Sequence, residues 1–183
     1  MRSDVSALIL AGGRATRLGG IAKHAIVIGG ETILARQTRL LAPRVQEILI
    51  SSPSDIAGYR CVRDAFDAAG PLAGIAAGLA AAATPWLLVV AGDMPYLTGE
   101  LVDALLAAAH DGVDAVCVRE RGLPEPLVSV VHARARDAVE TRLAHGRYQA
   151  SGLFTEEALA VAWHDVADAR TLRSINAPED LRE

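Results

Sequence analysis

Lysine is almost missing from this chain. It has 18 basic residues, and all but Lys23 are arginine. Aromatic residues are scarce too, at 4 %, which excludes a core of stacked rings and leaves Leu, Val, Ile and Ala to fill the interior. There are two cysteines, Cys61 and Cys117, far apart and each in an apolar stretch. They exclude a disulfide scaffold, show no metal-ligand spacing, and predict free thiols in a reducing cytoplasm. Positive charge is not in excess. A formal net charge of -4 argues against a general nucleic-acid binder but leaves room for a local basic pocket that holds one nucleotide. No apolar run approaches the length of a membrane span. The run after Arg2 and Asp4 is too short for a secretory signal and passes straight into glycines. Neither nucleic acid nor membrane is expected as a partner.

What remains is a chain of 183 residues, 51 % hydrophobic, long enough for a full core and read as one domain over 1–183. Apolar runs alternate with alanine-rich amphipathic segments. Strands are predicted at Val5 to Leu10, Glu47 to Ser51, Tyr59 to Arg63, Trp86 to Ala91, Ala115 to Val118, Leu127 to Val131 and Ala162 to Val166, with a short extended piece at Ala25 to Ile28. Helices are predicted at Thr32 to Leu41, Pro71 to Ala83, Gly99 to His110 and Ala133 to His145, with a last short one after Pro178. Such alternation predicts a three-layer α/β/α, Rossmann-like fold with a mostly parallel sheet. Trp86 to Ala91 is apolar throughout, as in a central strand covered on both faces.

Ligands in such sheets bind beyond the carboxyl ends of the strands, and three segments begin there. The first is the loop from Gly12 to Lys23, rich in glycine and arginine. Its glycines let backbone N–H groups approach phosphate oxygens, which Arg17 and Lys23 would neutralise. It fits neither the Walker pattern nor the dinucleotide fingerprint: Gly19 is followed by Gly20, and Lys23 by His24. The second is Gly92-Asp93-Met94-Pro95, where a carboxylate at the mouth of the sheet is placed to hold Mg²⁺ between phosphate oxygens. The third runs from Asp64 to Gly74. Asp64 either bonds a ribose or base or ends its strand. Gly74 and Gly78 smooth one face of a helix, for a ligand or for tight packing on the sheet. Near the C-terminus, Asn176 reads as a helix cap followed by Pro178. The histidines show no ligand spacing, and no Ser-His-Asp or Cys-His pairing is apparent. Arg134 to Arg147 reads as a solvated helix face from which Arg147 could reach an anion. Trp86 and Trp163 read as core.

Together, Leu10-Ala11-Gly12-Gly13, Arg17-Leu18-Gly19-Gly20 with Lys23, Gly70-Pro71-Leu72-Ala73-Gly74, Gly92-Asp93-Met94-Pro95 and Asn176-Ala177-Pro178-Glu179-Asp180-Leu181 resemble the molybdenum cofactor guanylyltransferases, in the family's order, from residue 5 to about 182. That family resembles the sugar-phosphate nucleotidylyltransferases in fold. The resemblance implies transfer of GMP from MgGTP to Mo-molybdopterin, with release of pyrophosphate. It implies nucleotide contacts at Leu10, Ala11, Gly12, Gly13, Lys23, Ser51, Asp64, Gly70 and Asp93, with Asp93 also on Mg²⁺. Arg17, Lys23 and Asp93 would carry the transfer. The acceptor would lie near Arg147, Ser174 and Asn176. Transient contact with molybdoenzyme maturation proteins is the partner expected besides the substrates, for a monomer or weak homo-oligomer.

The chain departs from the family pattern at Ala22, where Asp is frequent, at His24, and at Ser51 and Ser174, where Asn is frequent. His24 either packs against the loop, the favoured reading, or contacts the acceptor. Three alternatives stand beside the guanylyltransferase. A cytidylyltransferase of the same pterin tends to carry Leu-Ala-Ala-Gly where this chain has Leu10-Ala11-Gly12-Gly13. A sugar- or polyol-phosphate nucleotidyltransferase would need more chain for its acceptor. A non-catalytic nucleotide-binding relative would have no need of an intact Lys23 and Asp93.

Overall fold

The computed structural model describes residues 1–12, 14–15, 21–64, 70–176 and 180. The chain opens with β1 (Arg2–Leu10), a small ribbon of β2 (Arg14–Ala15) and β3 (Ile21–Ala22), a 3-10 turn at Lys23–Ala25, and a hairpin of β4 (Val27–Ile28) and β5 (Glu31–Thr32). Then come α1 (Ile33–Leu41), β6 (Val45–Ser51), β7 (Arg60–Val62), α2 (Pro71–Ala81), β8 (Trp86–Ala91) and α3 (Gly99–Ala108). The last part holds β9 (Ala115–Glu120), β10 (Leu123–His132), α4 (Arg136–Ala144), α5 (Gly152–Thr155) and β11 (Val161–Asp165).

Seven strands form one sheet in the order β11–β9–β10–β8–β1–β6–β7. β1 lies parallel between β6 and β8, β6 pairs parallel with β7, and β11 with β9. Only β10 runs against its neighbours. Strand periodicity sorts the core into two layers. Val5, Ala7 and Ile9 of β1 and Trp86, Leu88 and Val90 of β8 pack with Leu34, Leu41, Leu101 and Leu105 on one face. Leu8, Leu87 and Val89 pack with Leu72, Ile75, Val139 and Leu143 on the other. The sheet is thus the middle of three layers, with α1 and α3 on one side and α2 and α4 on the other. Thr32 caps α1 and Thr98 caps α3, each hydroxyl accepting a backbone N–H in the first turn. No helix among the described residues is long and apolar enough to cross a membrane.

Several details differ from the sequence reading. β10 is longer than Leu127 to Val131 and antiparallel, because it returns directly from β9 through the turn at Arg121 and Gly122, both at positive φ. The expected helix from Ala133 begins as a 3-10 turn, with α4 proper from Arg136. The ribbon β2–β3 and the short α5 were not foreseen. Of Ala25 to Ile28 only Val27–Ile28 is strand, folded onto β5 by Gly29 and Gly30, at φ of 61° and 85°. Arg134 to Arg147 is not simply solvated. Arg142 is 1 % exposed, with Nη1 held by Glu156 at 2.9 Å and Glu157 at 3.0 Å. Trp86 is buried, whereas Trp163 is only partly covered, with the Arg119 guanidinium 5.3 Å from its ring centroid. Gly78 serves packing: a Cβ there would stand 2.7 Å from Leu8 Cδ2 and 2.9 Å from Leu87 Cδ2. Cys61 and Cys117 are free thiols; Cys117 is buried, whereas Cys61 is only partly so. The helix expected after Pro178 lies outside the described residues.

The fold brings the ends of β1 and β8 side by side, with Leu10 opposite Ala91. Gly92 continues the seam by donating its N–H to Leu10 O at 2.9 Å. A Cβ on Gly92 would lie 2.7 Å from Leu10 O and 3.2 Å from Ala11 Cα, which are backbone atoms that cannot swing away. Gly92→Ala is expected to lower the unfolding free energy by roughly 1–3 kcal/mol, the usual cost of overpacking. Urea denaturation checks this, and an unchanged midpoint would show that the seam can spread at no cost.

Candidate active site

Beyond the carboxyl ends of β1, β6 and β8 lies a cavity of ≈ 390 Å³. Leu10, Ala11, Gly12, Lys23 and His24 line it from the first loop. Ser51, Asp64, Gly70, Pro71 and Gly74 line it from β6 to α2, and Ala91, Gly92, Asp93 and Leu127 from β8 and β10. The three segments named from sequence therefore meet around one space. Gly13 and Arg17 lie outside the described residues.

Local folding explains each placement. Ala11 N–H donates to Ser51 O at 2.8 Å, so the chain leaves β1 still stitched to β6. The turn after β8 is pinned from below by Gln37 of α1, 1 % exposed, whose Nε2 donates to Ala91 O at 2.7 Å and Met94 O at 3.1 Å. A buried amide has to find partners, and this one fixes the turn that carries Asp93. Gly70 precedes α2 at φ 66°, ψ -156°, a conformation that only glycine adopts readily. With Pro71 in the first turn and no side-chain cap, the positive end of the α2 dipole opens at the cavity wall.

At the mouth, Lys23 Nζ donates to Asp93 Oδ2 at 2.8 Å and to Asn176 Oδ1. The two charged side chains are about one-fifth exposed, at 21 % and 19 %. His24 Nδ1 lies 3.1 Å from Ala11 O. A carbonyl only accepts, so Nδ1 carries the proton there. His24 thus bonds the loop and lines the cavity at once. On the far wall Ser51 Oγ donates to Asp64 Oδ1 at 3.2 Å. Asp64 is exposed along one edge, yet partial burial raises its carboxyl above the ordinary value, and the Ser51 bond only partly opposes this.

The C-terminal segment is drawn to the same place. Ile175 N–H donates to Asp93 O at 2.9 Å, and Asn176 Nδ2 to Ser174 Oγ at 2.6 Å. Arg147 does not line the cavity; its Nη1 pairs with Glu157 Oε1 at 3.0 Å.

Three contributors escaped the sequence reading. Leu127 lines the cavity, Gln37 holds the Asp93 turn, and Glu125 adds a further carboxylate. Glu125 lies between Pro124 and Pro126, where the β9–β10 register shifts. Burial raises its carboxyl most, the negative charges of Asp93 and Glu120 raise it further, and the Leu127 N–H opposes them. Two prolines inside a strand mark a bulge, which was the available signal for Glu125. For Gln37 the signal was an amide on the apolar stripe of α1.

The donor set suits a hard cation. Asp93 is a carboxylate at the mouth whose Oδ2 pairs with Lys23, and no group of three or more metal-binding side chains occurs among the described residues. A cation at Asp93 would complete its shell with substrate oxygens and water, as Mg²⁺ does in phosphate sites. Among the described lining residues there is no cysteine and no hydroxyl paired with a histidine or lysine: Ser51 Oγ donates to Asp64 Oδ1 at 3.2 Å and His24 Nδ1 faces Ala11 O.

Comparison with known proteins agrees with this geometry. The profile described as "MobA-like NTP transferase domain" matches residues 7–161. A molybdenum cofactor guanylyltransferase of Pseudomonas putida strain F1 is 35 % identical over 189 residues, covering 100 % of this chain and 98 % of that protein. In fold, the chain is similar to a molybdopterin-guanine dinucleotide biosynthesis protein A from Archaeoglobus fulgidus, with TM-score 0.80, 22 % identity and coverage of 97 % and 95 %. It is also similar to the 2-C-methyl-D-erythritol 4-phosphate cytidylyltransferase of Thermus thermophilus, with TM-score 0.75, 22 % identity and the same coverage.

Glu125 supplies a pH test. Its folded value lies above the ordinary 4.5, so the ionised form is disfavoured in the folded state, and wild-type stability falls as pH rises through the folded value. Glu125→Gln removes that penalty. The variant should match wild type below the ordinary carboxylate range and exceed it at neutral pH, read as urea midpoints across pH. A gain of equal size at every pH would contradict this electrostatic account.

Proposed function

The chain belongs to the MobA-like NTP transferase domain family, and we propose that it transfers GMP from GTP to the terminal phosphate of Mo-molybdopterin. The products are molybdopterin guanine dinucleotide and pyrophosphate. The reaction class follows from the family; the donor, the acceptor and the residue roles are the proposal. The observation that carries it is the pairing of Lys23 with Asp93 at the cavity mouth, where both strand-end loops converge.

The chemistry suits a cavity whose described residues include no activated nucleophile. An oxygen of the acceptor phosphate attacks the α-phosphorus of GTP. A new P–O bond forms, the bond from that phosphorus to the α–β bridging oxygen breaks, and pyrophosphate leaves with the electron pair. The protein has to align the reactants and spread their charge. The backbone of Leu10, Ala11, Gly12 and Gly13 receives the nucleotide, with Gly70 at the helix end. Lys23 and Arg17 neutralise the phosphates. Asp93 would hold Mg²⁺, which when bound would supply further neutralisation of the triphosphate. Asp64, oriented by Ser51, accepts N–H donors of the base, and guanine presents such donors along one edge. The glycine at Gly12 leaves room for the larger purine. Ser174 would face the acceptor. Residues 1–183 act as one domain, and the free thiols suit a cytoplasmic enzyme.

The test is pyrophosphate release with Mo-molybdopterin and Mg²⁺, supplied with GTP or CTP at equal concentration. GTP is expected to support turnover and CTP to compete poorly; selective use of CTP would reject the guanylyl assignment. Lys23→Ala should lower turnover by roughly 10²–10³, as removal of other charge-stabilising donors does, with an unchanged circular dichroism spectrum. Wild-type turnover in that variant would reject the phosphate role of Lys23.

A further inference from the structure

Asn176 lies 153 positions from Lys23 in the chain, yet its Oδ1 accepts directly from the lysine ammonium. The amide is oriented and anchored. Nδ2 donates one of its two N–H groups to Ser174 Oγ at 2.6 Å, which orients the amide with its carbonyl oxygen on Nζ. The backbone N–H of Asn176 donates to Asp180 Oδ2 at 2.8 Å. The preceding residue, Ile175, is fully buried against Ile26 and Ile33 and tied by its N–H to Asp93 O. A side-chain carbonyl held this way can only accept. It suits an ammonium and offers nothing to an anionic phosphate.

We infer that Asn176 is a positioning residue acting through Lys23: with Asp93 it forms a two-point seat that holds the ammonium toward the triphosphate end of the cavity, rather than contacting the acceptor. The inference rests on the reading of Lys23 as a phosphate-binding residue. Its physical basis is the flexibility of lysine. A four-carbon stem loses much rotamer freedom when fixed, and a seat made before substrate arrives bears that cost in advance. With MgGTP bound, Asp93 would turn to the cation. Asn176 is neutral and stays with the lysine.

A double-mutant cycle tests this without any acceptor present. MgGTP binding is measured by calorimetry for wild type, Lys23→Ala, Asn176→Ala and the double variant. Asn176→Ala alone is expected to weaken MgGTP by about tenfold, the scale of a lost hydrogen bond to a charged group. In the Lys23→Ala background the same change should matter by less than about twofold, because groups that act as a unit are not additive. Two results would overturn the inference. One is unchanged MgGTP affinity in Asn176→Ala with a rise only in the acceptor KM. The other is an equal loss in both backgrounds, which marks a general structural role. The triphosphate is common to all nucleoside triphosphates, so if wild type binds MgCTP and not MgGTP, the cycle is run with MgCTP. That outcome overturns the guanylyl assignment and leaves this inference to be judged by its own cycle.

Discussion

One backbone hydrogen bond organises this molecule: Gly92 N–H to the carbonyl of Leu10, at 2.9 Å. It closes the seam between the two central parallel strands just where both leave the sheet. No side chain fits between these backbones, so the loop after β1 and the loop after β8 are held at contact distance. One loop delivers Lys23 and the other Asp93. Their ion pair is the consequence, formed across 70 positions of sequence. Gln37 from α1 and Ser51 from β6 hold the flanks of the same seam. The cavity is therefore a property of strand order, in keeping with the rule that ligands of open α/β sheets bind beyond strand ends.

The charges of the cavity favour a substrate that brings its own cation. Among its described lining residues Lys23 is the only permanent cation, while Asp64 and Asp93 bring carboxylates and Glu125 adds a third negative group nearby. A triphosphate entering this field meets repulsion unless it arrives with a divalent ion or finds further arginine. In the proposed role Asp93 would serve both needs: it is balanced by Lys23 in this structure, and with substrate bound it would turn to a metal while the lysine turned to phosphate. A compact, rotatable ammonium is suited to that exchange in a way that a planar guanidinium is not. This gives a physical reason for the one lysine of an arginine-rich chain.

Much of this was legible in the sequence. Trp86 to Ala91 read as a central strand because both of its faces are buried, and the glycine loop and Asp93 fell at strand ends once the alternation was recognised. What escaped depends on pairing in space. Periodicity carries no strand direction, so the reversal of β10, and with it Leu127 and Glu125, did not show. Arg142 read as solvated because its partners, Glu156 and Glu157, lie on a later segment. The contact of Asn176 with Lys23 did not show because nothing local indicates that the C-terminal segment returns to that lysine. Arg147 and Glu157 are a similar pairing, formed across α5.

In the proposed transfer a single in-line displacement takes place at the α-phosphorus of GTP with no covalent enzyme intermediate, since the described cavity offers charge and alignment but no activated nucleophile. The most direct measurement is the stereochemical course of turnover with a GTP analogue in which sulfur replaces one non-bridging α-oxygen in a single configuration. The account predicts inversion at phosphorus in the dinucleotide product. Retention would require two displacements through a covalent enzyme adduct and would contradict it.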